Sequence, residues 1–216
     1  MATTGGILVL FVIAHLAGNL QIFLGPEAIN RYGNLLQTNT ELLWPARIIL
    51  LATVLIHIWA AVSLTSANKA ARPVGYETWK PTAANYASRT MFMSGLIVAF
   101  FIVYHLLHYT VMVKAVNLTG KDFDSRPEFF DSEGRHDVYK MMIVGFSNPI
   151  VSVFYIVAVG LLCLHLSHGI GAMFQSLGWK KRPYGEFLDG CARWGSLAIW
   201  IGYISIPLAV LFKVIT

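Results

Sequence analysis

Charge is what this chain has least of. Only 12% of its 216 residues are Asp, Glu, Lys or Arg, against about 25% in a soluble globular domain. The apolar share is 56% and the mean hydropathy is +0.61, so lipid is expected to be the main solvent. Cysteine is nearly absent. Cys163 and Cys191 form no CxxC and no zinc spacing, and Cys163 falls inside an apolar run. That excludes a disulfide framework and leaves two small buried or interfacial residues. No Lys/Arg-rich tract interleaved with aromatics occurs, so the net charge of +5 does not point to nucleic acid. The basic residues lie between apolar segments, where lipid headgroups and a docking protein are the expected partners. No internal repeat or low-complexity tract is evident.

What is present is long apolar runs. Crossing a bilayer core of about 30 Å takes about 20 helical residues. Five stretches meet this: residues 6–23, 48–66, 91–112, 149–174 and 194–211, and none contains Lys, Arg, Asp or Glu. The expected fold is an all-α integral membrane bundle, one anchor domain over 1–216. The first stretch is preceded by no basic residue and has no clear small-residue cleavage site, so it is read as a mature helix, not a signal peptide. Pro207 is a candidate kink in the fifth. The loop over residues 115–148 is the one sizeable extramembrane piece. Within it, residues 137–146 read as a short amphipathic element on the membrane surface before Pro149 opens span four.

Orientation is nearly balanced. Lys69, Arg72, Lys80, Arg89, Lys180, Lys181, Arg182 and Arg193 lie on one side. Arg31, Arg47, Lys114, Lys121, Arg126, Arg135, Lys140 and Lys213 lie on the other. The first set is packed into denser loops, which favours a cytoplasmic N-terminus.

The residues that carry chemistry are histidines. His15, His57, His105 with His108, and His165 with His168 lie in spans one to four, whereas His136 lies outside and span five has none. An ionisable ring in hydrocarbon must find partners and is a functional signal. The spans contain no carboxylate, which argues against di-iron sites and mixed proton relays. Two imidazoles facing each other from neighbouring helices are what a b-type haem needs, and four helices supply two such pairs. With the N-terminus inside, His57 and His165 each lie nine residues from the inner end of their spans, and His105 lies seven from an outer end. Spans two and four then share an inner haem, and His15 joins His105 at an outer one. His108 and His168 each follow another histidine by three residues, about 60° around the helix. Either member of each couple can therefore ligate on periodicity alone, with the other holding a propionate, a quinone or a carbonyl. Gly18, Gly95, Gly169 and Gly171 share those spans and offer clearance either for a macrocycle or for ordinary helix packing.

These residues resemble the single-subunit dihaem cytochrome b anchor of bacterial succinate:quinone oxidoreductases (succinate dehydrogenases and fumarate reductases). The resemblance covers nearly the whole chain. It rests on I-A-H-L, V-L-I-H-I-W, G-L-I-V-A-F-F-I-V-Y-H and L-H-L-S-H-G-I-G-A-M-F-Q-S-L-G-W in the four histidine spans, and on H-D-V-Y-K-M-M-I-V-G-F-S-N-P before span four. It implies haem ligation by His15, His57, His105 and His165, with His108 and His168 as neighbours or alternative ligands. It implies two haem b groups, a quinone (menaquinone in dihaem relatives), and flavoprotein and iron–sulfur partners at the inner haem. The location implied is the bacterial cytoplasmic membrane. Glu27 resembles a glutamate that serves menaquinone chemistry near the outer haem, where an acid at the surface can exchange a proton. No dicarboxylate chemistry is expected on this chain. The competing expectations are a dihaem cytochrome of another respiratory dehydrogenase and a haem-free, histidine-lined transporter.

Overall fold

A computed structural model of the chain describes residues 1–71 and 86–216; Arg72 and Lys80 of the basic loops lie outside the described residues. Among the described residues five helices are long and apolar enough to cross a membrane, making the protein an all-helical membrane bundle. They are α1 (Ala2–Asn19, extended by a 3-10 turn Leu20–Leu24), α3 (Thr40–Ala70), α5 (Met91–Tyr109), α7 (Pro149–Ser176) and α8 (Gly185–Leu211). Shorter helices α2 (Pro26–Thr38), α4 (Tyr86–Arg89) and α6 (Val138–Ser147) lie between them.

The helices outrun the apolar stretches. α3 begins at Thr40 and carries Glu41 and Arg47, and α8 begins at Gly185 and carries Glu186, Asp189 and Arg193. Hydropathy marks where a helix meets lipid, whereas backbone hydrogen bonding continues wherever propensity allows. Lys180 closes on Asp189 at 2.7 Å beside the start of α8. α5 is shorter than its apolar run and ends at Tyr109, with Met112 at φ 58°, a left-handed conformation no α-helix continues through. α8 runs through Pro207, and α3 through Pro45.

The core forms around α7. Val151, Tyr155, Val159, Cys163 and Leu166 of α7 pack with Phe101 of α5, Ile199, Ile206 and Val210 of α8, and Ile22 and Ile29. Asn148 caps α7 by accepting from the Ile150 and Val151 amides, and Pro149 stands at the first helical position, where no amide is needed. Tyr203 of α8 donates to the Val12 carbonyl of α1 at 2.8 Å. By contrast α3 packs mainly against α1 and α2, and Thr53 is its one buried residue.

α6 is two-faced: Met141, Met142, Gly145 and Phe146 are buried against the protein, whereas Lys140 and Ser147 are exposed. α2, absent from the sequence reading, secures the start of α6. Its Asn30, 2% exposed, donates to the Asp137 carboxylate and accepts from the Tyr139 amide, each at 2.9 Å. Asp137 in turn caps α6 by accepting from the Lys140 amide. One buried asparagine thus fixes the α6 N-terminus, and burial without both bonds would be costly.

Gly145 permits the close approach of α6 to α5, because a Cβ there would collide with the Tyr109 hydroxyl. Overpacking of this kind costs about 1–3 kcal/mol. Gly145→Val is expected to lower the thermal unfolding midpoint in detergent, while Gly190→Ala, where a Cβ meets nothing within 4 Å, leaves it unchanged.

Candidate functional site: two histidine pairs inside the bundle

The structure brings four of the six span histidines together in two couples. His57 of α3 faces His165 of α7 with ring centres 6.5 Å apart, and His15 of α1 faces His105 of α5 at 5.7 Å. Two imidazoles sharing one metal ion, each bonded at about 2.0 Å, have ring centres about 6 Å apart. Both couples meet that spacing. They also lie at different depths. His57 and His165 sit beside Thr4 and Ser94, near the starts of α1 and α5. His15 and His105 sit beside Tyr155 and Tyr203, near the start of α7 and the end of α8.

Hydroxyls flank the first couple. The Thr4 hydroxyl lies 3.0 Å from the Met1 carbonyl and 3.0 Å from His57 Nδ1. The Ser94 hydroxyl lies 3.0 Å from the Met91 carbonyl and 3.3 Å from His165 Nδ1. With the hydroxyl protons on the carbonyls, each Nδ1–H donates to its hydroxyl and Nε2 keeps a lone pair, the state a metal-binding imidazole requires. In the second couple Tyr155 Oη lies 3.4 Å from His105 Nδ1. His15 stacks on Phe11 at 5.4 Å and lies 6.3 Å from Tyr203.

Among the described residues no group of three or more His, Cys, Asp or Glu converges as a metal site. The histidines meet in twos, and a porphyrin, which brings its own equatorial nitrogens, needs two protein ligands. All four paired histidines keep partial exposure at mid-span, and α3 is barely buried, so the bundle is not sealed around either couple. The donor set, spacing and loose packing fit bis-histidine haem. The four glycines do not act alike. Gly95 receives the His165 ring, where a Cβ would come within 3.2 Å of Cε1, whereas Gly18 faces Tyr32, Gly169 faces Met91 and Gly171 faces Asp189.

His108 and His168 stand apart from these couples. His108 is fully buried, with Nδ1 3.0 Å from Tyr155 Oη, its ring stacked 3.9 Å from Tyr109 and its Nε2 unpartnered. His168 is half-buried one turn beyond His165, within electrostatic range of Lys180. His136 is buried in the 115–137 loop, where Nε2–H donates to the Phe123 carbonyl at 2.9 Å.

Glu27 is in the first turn of α2 and is ion-paired. Arg135 meets its two carboxylate oxygens at 3.1 and 2.7 Å, and also bonds Asp131 at 2.7 Å and Glu133 at 3.1 Å. Arg135 holds the Glu27 carboxyl below the usual carboxylate range. Beside Arg135 opens a cleft of about 450 Å³ lined by Tyr109, Arg47, Arg126 and His136 among others. Sequence reasoning missed Thr4, Ser94, Tyr155 and Arg135. For the first three the available signal was a hydroxyl at the depth of a histidine on a neighbouring span.

No protein-family model, curated protein or solved structure matches the chain. The pairing geometry therefore stands on the chain's own residues.

A depressed folded-state pKa contributes stability above the unfolded carboxyl value, about 4.3 for Glu, and that stability is lost as pH falls through the folded value. The tie between α2 and the 115–137 loop should hold at pH 7 and loosen on acidification below about pH 4.3. Hydrogen exchange of that loop in detergent checks this. Arg135→Gln should raise exchange at pH 7 and blunt its acid dependence.

Proposed function

We propose that the chain is the membrane-anchor cytochrome b subunit of a succinate:quinone oxidoreductase, binding two b haems and relaying electrons between an iron–sulfur subunit and membrane quinone. The observation that carries this reading is the pair of facing imidazole couples at two depths, one with both Nδ1 atoms beside hydroxyls.

His57 and His165 would hold one haem, and His15 and His105 the other. Bound haem b supplies one-electron chemistry at a potential set by its ligands and their hydrogen bonds. The chain's own residues do the rest. Thr4 and Ser94 orient the imidazoles of one site, and Tyr155 the His105 imidazole of the other. The apolar helices exclude water, and the two depths divide the membrane into short electron-transfer steps.

The cleft beside Tyr109 and Arg135 supports a quinone site, with menaquinone the expected quinone, at the His15–His105 end. Glu27 is its candidate proton-exchanging group, and that role requires Arg135 to release the carboxylate when a proton is taken up. The basic loops at the other end, including Lys180 and Lys181, would receive the iron–sulfur and flavoprotein subunits. Succinate or fumarate chemistry belongs to those partners. The setting proposed is the bacterial cytoplasmic membrane, with the N-terminus on the cytoplasmic side.

Haem per polypeptide, measured by pyridine haemochrome, tests the ligand assignment. His57→Ala or His165→Ala is expected to drop the count from two to one, and His15→Ala or His105→Ala to remove the other haem. Two haems retained in any of these variants would contradict it. For Glu27→Gln, both haems should remain while quinol turnover slows several-fold. Unchanged quinone kinetics would leave Glu27 only its ion pair with Arg135.

A further inference from the structure

His108 has so far no role, and its surroundings give it one that rests on the haem reading above. Tyr155 Oη lies 3.0 Å from His108 Nδ1 and 3.4 Å from His105 Nδ1. Tyr155 is 6% exposed and His108 0%, and Tyr109 and Phe123 stack along the His108 ring at 3.9 and 5.8 Å. One hydroxyl carries one proton, so it can donate to one of these nitrogens and must accept from the other. Ligation through His105 Nε2 puts the His105 proton on Nδ1. That N–H then donates to Tyr155 Oη, Tyr155 O–H donates to His108 Nδ1, and the His108 proton resides on Nε2.

We propose that His108 is the end of a His105–Tyr155–His108 hydrogen-bond chain that fixes the tautomer of the haem ligand His105 and lowers the reduction potential of the His15–His105 haem. Tyr155 and His108 are positioning residues in this account. An acceptor on Nδ1–H gives the imidazole more imidazolate character, which favours ferric iron. His108 orders the acceptor by drawing the tyrosine proton away from His105. The Thr4 and Ser94 acceptors belong to the other couple, so the effect is confined to one haem.

Redox titration of the purified holo-protein, followed at the α-band, tests it, with His15→Ala used to assign which haem is which. Tyr155→Phe and His108→Leu are expected to keep both haems, raise the midpoint of the His15–His105 haem and leave the His57–His165 haem unchanged. His108→Asn, whose carbonyl oxygen can replace Nδ1 as acceptor, should restore the wild-type midpoint. An unshifted midpoint in Tyr155→Phe overturns the proposal. So does loss of one haem in His108→Asn while His105→Ala retains two, which makes His108 the ligand. A wild-type protein with no haem would instead fail the parent reading.

Discussion

An imidazole buried in hydrocarbon cannot be left without partners, and this bundle is organised around meeting that demand four times. Each of the first four spans brings one histidine to face another across a helix–helix gap, at 6.5 Å for His57–His165 and 5.7 Å for His15–His105. The outer edges of three of those rings meet hydroxyls, from Thr4, Ser94 and Tyr155. Two imidazoles per couple, at the spacing of two ligands on one metal ion, suit a metal that arrives already held by a macrocycle.

The rest of the packing follows from keeping those gaps open while the bundle holds together. α7 carries the core, and α8 is pinned to α1 through Tyr203 and Val12. α3 contributes His57 yet buries only Thr53, so its placement depends mainly on α1 and α2. Stability on the opposite side comes from outside the spans. Asn30 fastens α2 to the start of α6, and Arg135 gathers Glu27, Asp131 and Glu133. These contacts close the end of the bundle nearest the His15–His105 couple, beside the cleft next to Tyr109.

The five spans were legible because a bilayer imposes one rule on every crossing segment: about 20 apolar residues with internally satisfied backbone. Histidine depth was legible for the same reason, since rise per residue converts position into depth. Helix ends were not, because α3 and α8 continue into polar sequence at Thr40–Arg47 and Gly185–Arg193. α2 escaped although Gly25–Pro26–Glu27 is a helix start, with proline at the first position and an acid in the first turn. Residues 137–146 were legible as a short amphipathic element, but what their buried face meets was not, since the partner Asn30 lies 107 residues from Asp137. Long-range pairings such as Glu27–Arg135 leave no trace in local periodicity. Nor does the contrast between His105, which faces His15, and His108, which turns to Tyr155, since they differ by less than one helical turn.

Electron paramagnetic resonance of the oxidised, purified protein tests the central claim most directly, because it reads the axial ligands themselves. The facing rings are steeply inclined, by 66° for His57–His165 and 81° for His15–His105. Bis-histidine ligation of both haems gives low-spin iron, so the account predicts two low-spin ferric signals in equal amounts. A colourless preparation, or a single high-spin signal, would contradict it.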